Sequence, residues 1–132
     1  MAEIITCDLC VIGAGLGGLT AVAEARALGA SVVLVERDKM GGDYLNTGAV
    51  PSAALAAAAS HAAAVRSAAA FGVMAEEPRI NTRKVHDFVE QVIAGLAPRE
   101  AVARVEALGV RVIKAEGKFQ DSRTLLAGDA EI

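Results

Sequence analysis

The sequence predicts an α/β fold in which a parallel sheet carries helices on both faces. Two observations lead to this prediction. Short runs of apolar, β-branched residues alternate with longer helix-forming segments, and 132 residues are enough for one hydrophobic core. The first strand-like run, the helix after it and the second run all fall within the first 36 residues. That spacing is typical of one β-α-β unit, whose right-handed crossover makes the two strands parallel.

The first half of the chain supplies this unit. Residues 4–12 are almost continuously apolar and are predicted to form a central strand of the sheet. A helix is predicted from about residue 16 to residue 28, and residues 31–35 are predicted to form a second strand that ends at Glu36. Residues 37–51 are expected to be an irregular glycine-rich connection. A connection of that length inside a compact domain is usually functional.

The second half of the chain adds two helices, a third strand and a final hairpin or weak strand. A mostly alanine helix is predicted to run from Ser52, its cap, to about residue 70. A longer helix, capped by Asn81 or Thr82, is predicted to reach Leu108, with an interruption near Pro98 and a stop at Gly109. After these come a strand at 110–115, a turn at 117–121 and a weak strand or hairpin that begins at 124–126.

Composition argues against two classes of partner. Thirteen Lys and Arg against 16 Asp and Glu give a net charge of -3, and one Tyr, three Phe and no Trp offer little to stack on bases, so we expect no nucleic-acid binding. The longest alanine-rich stretch, residues 53–59, is too short and too weakly apolar to span a bilayer. Residues 1–4 lack the basic start of a signal peptide, which predicts a cytoplasmic protein.

Cys7 and Cys10 have the spacing of a redox pair or of half a zinc site. In an extended strand, residues three apart point to opposite faces, so we expect two separate, buried strand thiols without a disulfide. The histidines His61 and His86 stand alone and are expected to be exposed on helices. We therefore predict no metal site, and the lack of a disulfide framework agrees with a cytoplasmic location.

A glycine motif follows the first predicted strand. Gly13-x-Gly15-x-x-Gly18 lies between that strand and a helix, and the next strand ends in the acid Glu36, 18 residues after the last glycine. Gly13 permits a tight turn, Gly15 lets a pyrophosphate approach the backbone, and Gly18 lets the helix pack closely on the sheet. The helix N-terminus attracts phosphate, and a carboxylate at 36 suits the free ribose hydroxyls of FAD or NAD rather than NADP. The motif therefore predicts a Rossmann-like dinucleotide-binding domain.

A second glycine loop, residues 41–52, resembles the redox loop of the flavoprotein disulfide reductases, and is most similar to the branch that contains dihydrolipoamide dehydrogenase and mercuric reductase. The similarity also includes residues 7–15, 108–110 and 116–119, so the matching motifs are spread over nearly the whole chain. The resemblance implies FAD as the cofactor. It implies contacts to the FAD pyrophosphate from Gly13, Ala14, Gly15, Leu16, Gly17 and Gly18, to the adenosine ribose from Glu36 with Arg37 nearby, to the pyrophosphate and ribityl region from Gly41, Gly42 and Asp43, and to the adenine from Gly117.

The chain departs from the family pattern at the chemical positions. Tyr44 and Ala49 stand where the family has its two redox cysteines, and Ala53 stands where it has a lysine near the flavin. A dithiol passes electrons through a thiolate beside the flavin, which neither tyrosine nor alanine provides. We therefore predict no catalytic residue in this chain and no disulfide exchange.

The family also has segments that this sequence lacks, namely a further parallel strand, an NAD domain and a dimerisation domain with a catalytic His-Glu pair. We therefore expect residues 1–132 to form a single, C-terminally incomplete FAD-binding domain, and we expect self-association through the unpaired edge of the first strand. Two alternatives stay open. One is a non-catalytic binding or assembly module, natural or engineered, on the same fold. The other is an NAD-binding protein, which the loop at Gly41 and Gly42 disfavours.

Overall fold

The computed structural model describes residues 3–132, in which a β-α-β unit is followed by four helices and then by four strands. Residues Met1 and Ala2, which bear on the expected absence of a signal peptide, lie outside the described part. The strands are β1 (Glu3–Ile4), β2 (Leu9–Ile12), β3 (Val32–Val35), β4 (Arg111–Ile113), β5 (Gly117–Phe119), β6 (Leu125–Ala127) and β7 (Ala130–Glu131). The helices are α1 (Leu16–Ala27), α2 (Gly42–Asn46), α3 (Ala49–Ser67), α4 (Thr82–Leu96) and α5 (Val102–Glu106).

A three-stranded parallel sheet in the order β2-β3-β4 is the centre of the fold. β2 and β3 pair in register from Leu9 opposite Val32 to Ile12 opposite Val35. All four residues of β3 are buried, as a continuous β-branched run in a central strand requires. The predicted β-α-β unit and the α/β fold class are confirmed.

The two faces of this sheet are covered differently. On one face, Val22 of α1 and Val105 of α5 pack with Val32 and Leu34. On the other face, Val33 and its neighbours in β3 and β4 pack against strands rather than helices, through β6 and the chain around it. Those strands form a second sheet in the order β1-β7-β6-β5. The prediction of helices on both faces is therefore wrong for this face.

The predicted first strand, residues 4–12, is two strands in two sheets. β1 pairs with β7, whereas β2 pairs with β3. A polar contact fixes the change of direction between them: the Asp8 carboxylate accepts hydrogen bonds from the Ser31 N–H at 2.7 Å and from its hydroxyl at 2.6 Å. This break was not predicted, because Ile4, Ile5 and Cys7 continue the apolar run of β2 in sequence. In the structure, β1 pairs in the second sheet and not in the sheet that contains β2.

The break also changes the prediction for the two cysteines. Cys7 and Cys10 are free and half-buried, and both pack against the cluster of Val33 and Val35, so the expectation of opposite faces is wrong. Cys7 precedes the extended strand, and the two-residue alternation does not reach it. Burial raises the pKa of both thiols, which keeps them protonated at neutral pH.

The predicted loop at 37–51 is also partly helical. It contains α2 and the first turn of α3, which begins at Ala49 after Gly48 rather than at a Ser52 cap. The Ser52 hydroxyl instead donates to the Ala49 carbonyl. Pro51 misled the assignment, because a proline is tolerated in the first turn of a helix, where its missing N–H has no partner to lose.

The remaining helices agree with the sequence more closely. α3 and α4 pack against each other, and α4 is capped by the Asn81 side chain, which accepts from the Lys84 N–H at 3.1 Å. The interruption predicted near Pro98 is a short 3₁₀ turn between α4 and α5. Gly109 ends the last helix with a φ of +81°. The predicted turn at 117–121 is wrong for its first three residues, which form β5, antiparallel to β6.

The segment from Gly42 to Phe71 is long and apolar enough, by length and composition alone, to cross a membrane. The expectation that no segment is long enough to span a bilayer was based on residues 53–59 alone, which are only part of this longer segment. Alanine supplies most of this hydropathy and removes little apolar area from water when it is buried. The absence of membrane binding stays a prediction.

The Asp8 contact generates a prediction about acid stability. Its hydrogen bonds from the Ser31 side chain and backbone hold the pKa of Asp8 below the ordinary value of 3.8. The stability that a lowered carboxyl pKa supplies is present above that ordinary value and is lost as the pH falls through the folded-state pKa. Asp8→Asn is expected to lower the melting temperature at neutral pH and to reduce the loss of stability below about pH 4.

Thermal melts of both proteins at several pH values test this. Glu3 and Asp121 also have lowered pKa values, so a shallower slope for Asp8→Asn, not a flat one, is expected. An unchanged slope for Asp8→Asn would show that the Ser31 contact does not form in solution.

Candidate dinucleotide-binding site

Two glycine-rich loops meet at the carboxyl ends of β2 and β3. The backbone of Gly15, in the β2–α1 loop, forms a parallel bridge with Gly41, which precedes α2. The Gly41 N–H donates to the Ala14 carbonyl at 2.8 Å. A Cβ added at Gly42 would lie 3.0 Å from the Gly15 Cα, so side chains at this crossing would push the loops apart. The two glycine motifs, which are 26 residues apart in sequence at Gly15 and Gly41, therefore form one structure.

The close packing of α1 on β2 depends on Gly18. A Cβ at this position would overlap the Gly13 carbonyl oxygen and lie 3.3 Å from the Val11 Cγ1. Gly13 has a φ of +100°, a conformation that side chains other than glycine rarely adopt. Gly13 thus forms the tight turn and Gly18 lets the helix approach the strand closely, as the motif predicted.

The N-terminus of α1 faces the loops with unpaired donors. The first N–H that bonds within the helix is that of Leu19, which donates to the Gly15 carbonyl at 2.9 Å. The N-cap residue, Gly15, has no side chain that could accept from these donors, and the first turn of α1 carries no acidic residue. A Cβ added at Gly15 or Gly17 would meet nothing within 4 Å, so the space beside these two residues is open. This is the arrangement that attracts an anion.

Glu36 lies between the loops and is the one charged residue that is buried in residues 3–132, with 7% of its surface exposed. One carboxylate oxygen accepts from the Ala14 N–H at 2.6 Å, and the other accepts from the Asp38 N–H at 2.7 Å. The side chain thus joins the loop after β2 to the loop after β3. Each oxygen keeps a further lone pair for a ligand hydroxyl.

A cavity of about 470 Å³ opens beside these groups. Of the residues that the sequence predicted for the site, seven line it: Gly13, Gly15, Glu36, Arg37, Gly42, Asp43 and Gly117. The other five do not line it and belong to the loops and the first helical turn around it: Ala14, Leu16, Gly17, Gly18 and Gly41. The structure therefore brings together residues from both loops and from β5, which begins 104 positions after Gly13.

Other residues that line the cavity were not predicted from the sequence, among them Asp38, Lys39, Asn46 and Glu116. Asn46 has a clear local role, since its side-chain amide donates to the carbonyls of Met40 at 3.1 Å and Gly42 at 2.8 Å. Its place inside the second glycine loop was a usable signal. No sequence signal marked Asp38 and Lys39 as cavity residues, because charged surface residues commonly follow a strand.

Tyr44, Ala49 and Ala53, which stand at the family's redox positions, do not line the cavity. They are close in sequence to Asp43, Asn46 and Thr47, which do line it. Tyr44 is half-buried in α2, whereas Ala49 and Ala53 are exposed and lie one turn apart at the start of α3. Cys7 and Cys10 line a different groove, so no thiol borders this cavity. His61 and His86 are exposed, as expected, and residues 3–132 contain no cluster of three metal-ligating side chains.

Comparison with known proteins decides the family. The family model described as pyridine nucleotide-disulphide oxidoreductase matches residues 7–131, which include both loops, Glu36 and β5. The chain belongs to this family. Its members are in general FAD-dependent flavoproteins.

Individual relatives of this family agree with the assignment. The chain is 36% identical over 129 residues to dihydrolipoyl dehydrogenase of Staphylococcus aureus, covering 95% of this chain and 26% of the relative. It is 32% identical over 125 residues to the enzyme of that name from Geobacillus stearothermophilus, covering 92% of this chain and 26% of the relative. It is 33% identical over 119 residues to mercuric reductase of Streptomyces lividans, covering 89% of this chain and 25% of the relative.

The chain thus spans about a quarter of the length of the curated relatives it matches. The match is to the N-terminal portion of those proteins. The chain therefore corresponds to the N-terminal part of these oxidoreductases, and this part contains the glycine loops.

The glycines at 17 and 18 provide a matched pair of variants. Gly18→Ala is expected to destabilise the fold by about 1–3 kcal/mol, since the new methyl group overlaps a backbone carbonyl that cannot move aside. Gly17→Ala points into open space within α1 and is expected to be neutral or to stabilise by up to about 1 kcal/mol. Chemical denaturation of the two variants measures both effects, and equal stabilities would contradict the packing described here.

Proposed function

We propose that this chain binds FAD and serves as the cofactor-holding part of a dihydrolipoamide dehydrogenase-like oxidoreductase. The observation that carries the proposal is the crossing of the two glycine loops at Gly15 and Gly41, below the open N-terminus of α1 and beside the buried carboxylate of Glu36. A loop crossing of this kind leaves backbone, rather than side chains, to face the ligand, which suits a pyrophosphate.

Each part of the site has a proposed task. The free N–H groups of Leu16, Gly17 and Gly18 bind the FAD pyrophosphate, with Gly13, Ala14 and Gly15 as the backbone beneath it. Glu36 accepts from the hydroxyls of the adenosine ribose through its remaining lone pairs. The remaining predicted contacts fall to Arg37 near the ribose, to Gly41, Gly42 and Asp43 along the pyrophosphate and ribityl chain, and to Gly117 at the adenine.

The flavin, when bound, supplies two-electron chemistry that no side chain of the protein can provide. The protein's own contribution at the positions after the second loop is a phenol at Tyr44 and a methyl group at Ala49. Neither forms a thiolate, so the proposed function is cofactor binding without disulfide exchange. The same observation favours the second candidate, a non-catalytic binding or assembly module on this fold.

Isothermal titration with FAD and with NAD⁺ tests the cofactor. We expect one FAD per chain and weaker binding of NAD⁺. Glu36→Gln is expected to weaken FAD binding by about tenfold or more, because the amide replaces one of the two acceptor oxygens with an NH₂ donor, which cannot accept from a backbone N–H or from a ribose hydroxyl. Glu24→Gln, an exposed change on α1, is the matched control and should bind FAD normally. Binding of NAD⁺ alone, or equal FAD binding by Glu36→Gln, would refute the proposal.

The loss of disulfide chemistry is tested separately on the FAD-loaded chain. With a small dithiol such as dihydrolipoamide and excess NAD⁺, we expect no turnover above that of free FAD. A Tyr44→Cys, Ala49→Cys double variant is the comparison, and thiol titration shows whether the two introduced thiols oxidise together. Turnover by the native chain that disappears in Cys7→Ser, Cys10→Ser would assign the chemistry to those residues instead.

A further inference from the structure

We propose that the side-chain carbonyl of Asn46 accepts a hydrogen bond from the ribityl chain of FAD, which makes Asn46 a residue that selects for that chain. The inference rests on the proposed FAD binding and assigns a ligand contact to a side chain outside the set predicted from the sequence. Asn46 is the last residue of α2 and lines the cavity of about 470 Å³ beside the loop crossing.

The two amide protons of Asn46 fix the orientation of its side chain. The Nδ2 group donates to the Met40 carbonyl at 3.1 Å and to the Gly42 carbonyl at 2.8 Å. A carbonyl can only accept, so the NH₂ group must face both of these oxygens. Rotation of the amide by half a turn would place its own oxygen against them. The side chain therefore has one orientation.

The Oδ1 atom of Asn46 is an open acceptor. Within residues 3–132 no group donates to it, and this part of the chain contains no buried side-chain oxygen that lacks a hydrogen bond. The Oδ1 is therefore accessible, and a ligand in the cavity that Asn46 lines can reach it. An acceptor held in one direction is preorganised, because a ligand that binds to it orders no further rotamer of the side chain.

The polar groups that line the cavity with Asn46 favour a ligand that donates hydrogen bonds. A carboxylate oxygen of Asp43 accepts from the Thr47 hydroxyl at 3.2 Å, and both residues line the cavity. The oxygens of Asp43 and the Oδ1 of Asn46 can bind a hydroxyl, which donates, but not a phosphate at neutral pH, which only accepts. A hydroxyl-bearing chain thus suits this wall of the cavity, whereas the pyrophosphate suits the N–H groups of α1.

Asn46 also holds the point where the second loop meets the first. Its bond to the Gly42 carbonyl restrains the residue at which an added Cβ would lie 3.0 Å from the Gly15 Cα. A ligand that lies on the Gly15 backbone therefore passes beside the residue to which Asn46 is bonded. The loop role and the ligand role are separable, because the first uses Nδ2 and the second uses Oδ1.

Isothermal titration of the native chain and of Asn46→Ala with FAD and with ADP tests the contact. ADP carries the adenosine and the pyrophosphate of FAD but no ribityl chain. Asn46→Ala is expected to weaken FAD binding about fivefold more than it weakens ADP binding, which corresponds to one lost hydrogen bond. Asn81→Ala, which removes the side-chain cap of α4, is the matched control and should leave both affinities unchanged. Equal weakening of FAD and ADP binding would show that Asn46 acts only through the loop and would overturn the inference.

ADP-ribose identifies the kind of hydroxyl-bearing group that Asn46 binds. It has a cyclic ribose after the pyrophosphate in place of the open ribityl chain, and Asn46→Ala is expected to affect its binding as little as that of ADP. A loss as large as the loss for FAD would assign the contact to a ribose and reject the ribityl chain. Failure of the proposed function gives a different result, namely a native chain that does not bind FAD.

A measurement on the native chain does not depend on the folding of Asn46→Ala. Asn46 and Asn81 are the two asparagines of the chain, so labelling of asparagine with ¹³C and ¹⁵N gives two side-chain signals in an NMR spectrum. We expect FAD, but not ADP, to move the ¹³Cγ signal of Asn46 in the direction of a hydrogen-bonded carbonyl, and neither ligand to move that of Asn81.

The same spectra test the orientation of the amide. The NH₂ protons of Asn46 should exchange with water more slowly than those of Asn81, whose side chain is bonded through its oxygen. A ¹³Cγ signal of Asn46 that responds to ADP as it does to FAD, or NH₂ protons that exchange as fast as those of Asn81, would contradict the proposal.

Discussion

The Glu36 carboxylate is the contact on which the rest of the site depends. Its two oxygens accept from Ala14 and Asp38, which lie in loops after two different strands. The bond from Ala14 satisfies a buried backbone donor, and the two bonds together join the loops after β2 and β3 at the ends of the sheet. The crossing of Gly15 with Gly41 and the exposed N-terminus of α1 follow from that arrangement. The carboxylate that we propose to bind the ribose therefore also has a structural role.

The first β-α-β unit was predictable because several independent signals agree there. Apolar periodicity, the glycine spacing and the acid at 36 all lead to the same local structure, which the fold confirms for β2, α1 and β3. Local signals also identified the Asn81 cap, the interruption at Pro98 and the stop at Gly109. Each of these features depends on contacts within a few residues of the chain.

The errors share a different cause, which is that the deciding contact is distant in sequence. The split of the first predicted strand depends on Ser31 and on β7, and the strand character of residues 117–119 depends on pairing with β6. The packing of strands against one face of the parallel sheet could not be predicted from the alternation of polar and apolar residues. β3 is buried on both faces, and its sequence would be equally apolar under helices or under strands. For the site, the sequence named the backbone glycines but not Asn46, whose two bonds shape the loop from within.

The site combines the glycine loops that we propose to hold FAD with two side chains, Tyr44 and Ala49, that cannot form a thiolate. The glycines that control close approach are present, whereas Tyr44 and Ala49 replace thiols. These two sets of residues are separable, because the cradle is built from backbone donors and one carboxylate, and disulfide exchange requires sulfur. The proposed FAD binding therefore does not depend on disulfide exchange. The most direct test is the visible absorption spectrum of the chain after incubation with FAD and removal of free cofactor by gel filtration. Retained flavin bands, shifted from those of free FAD, are the predicted result, and a colourless, folded protein would contradict the account.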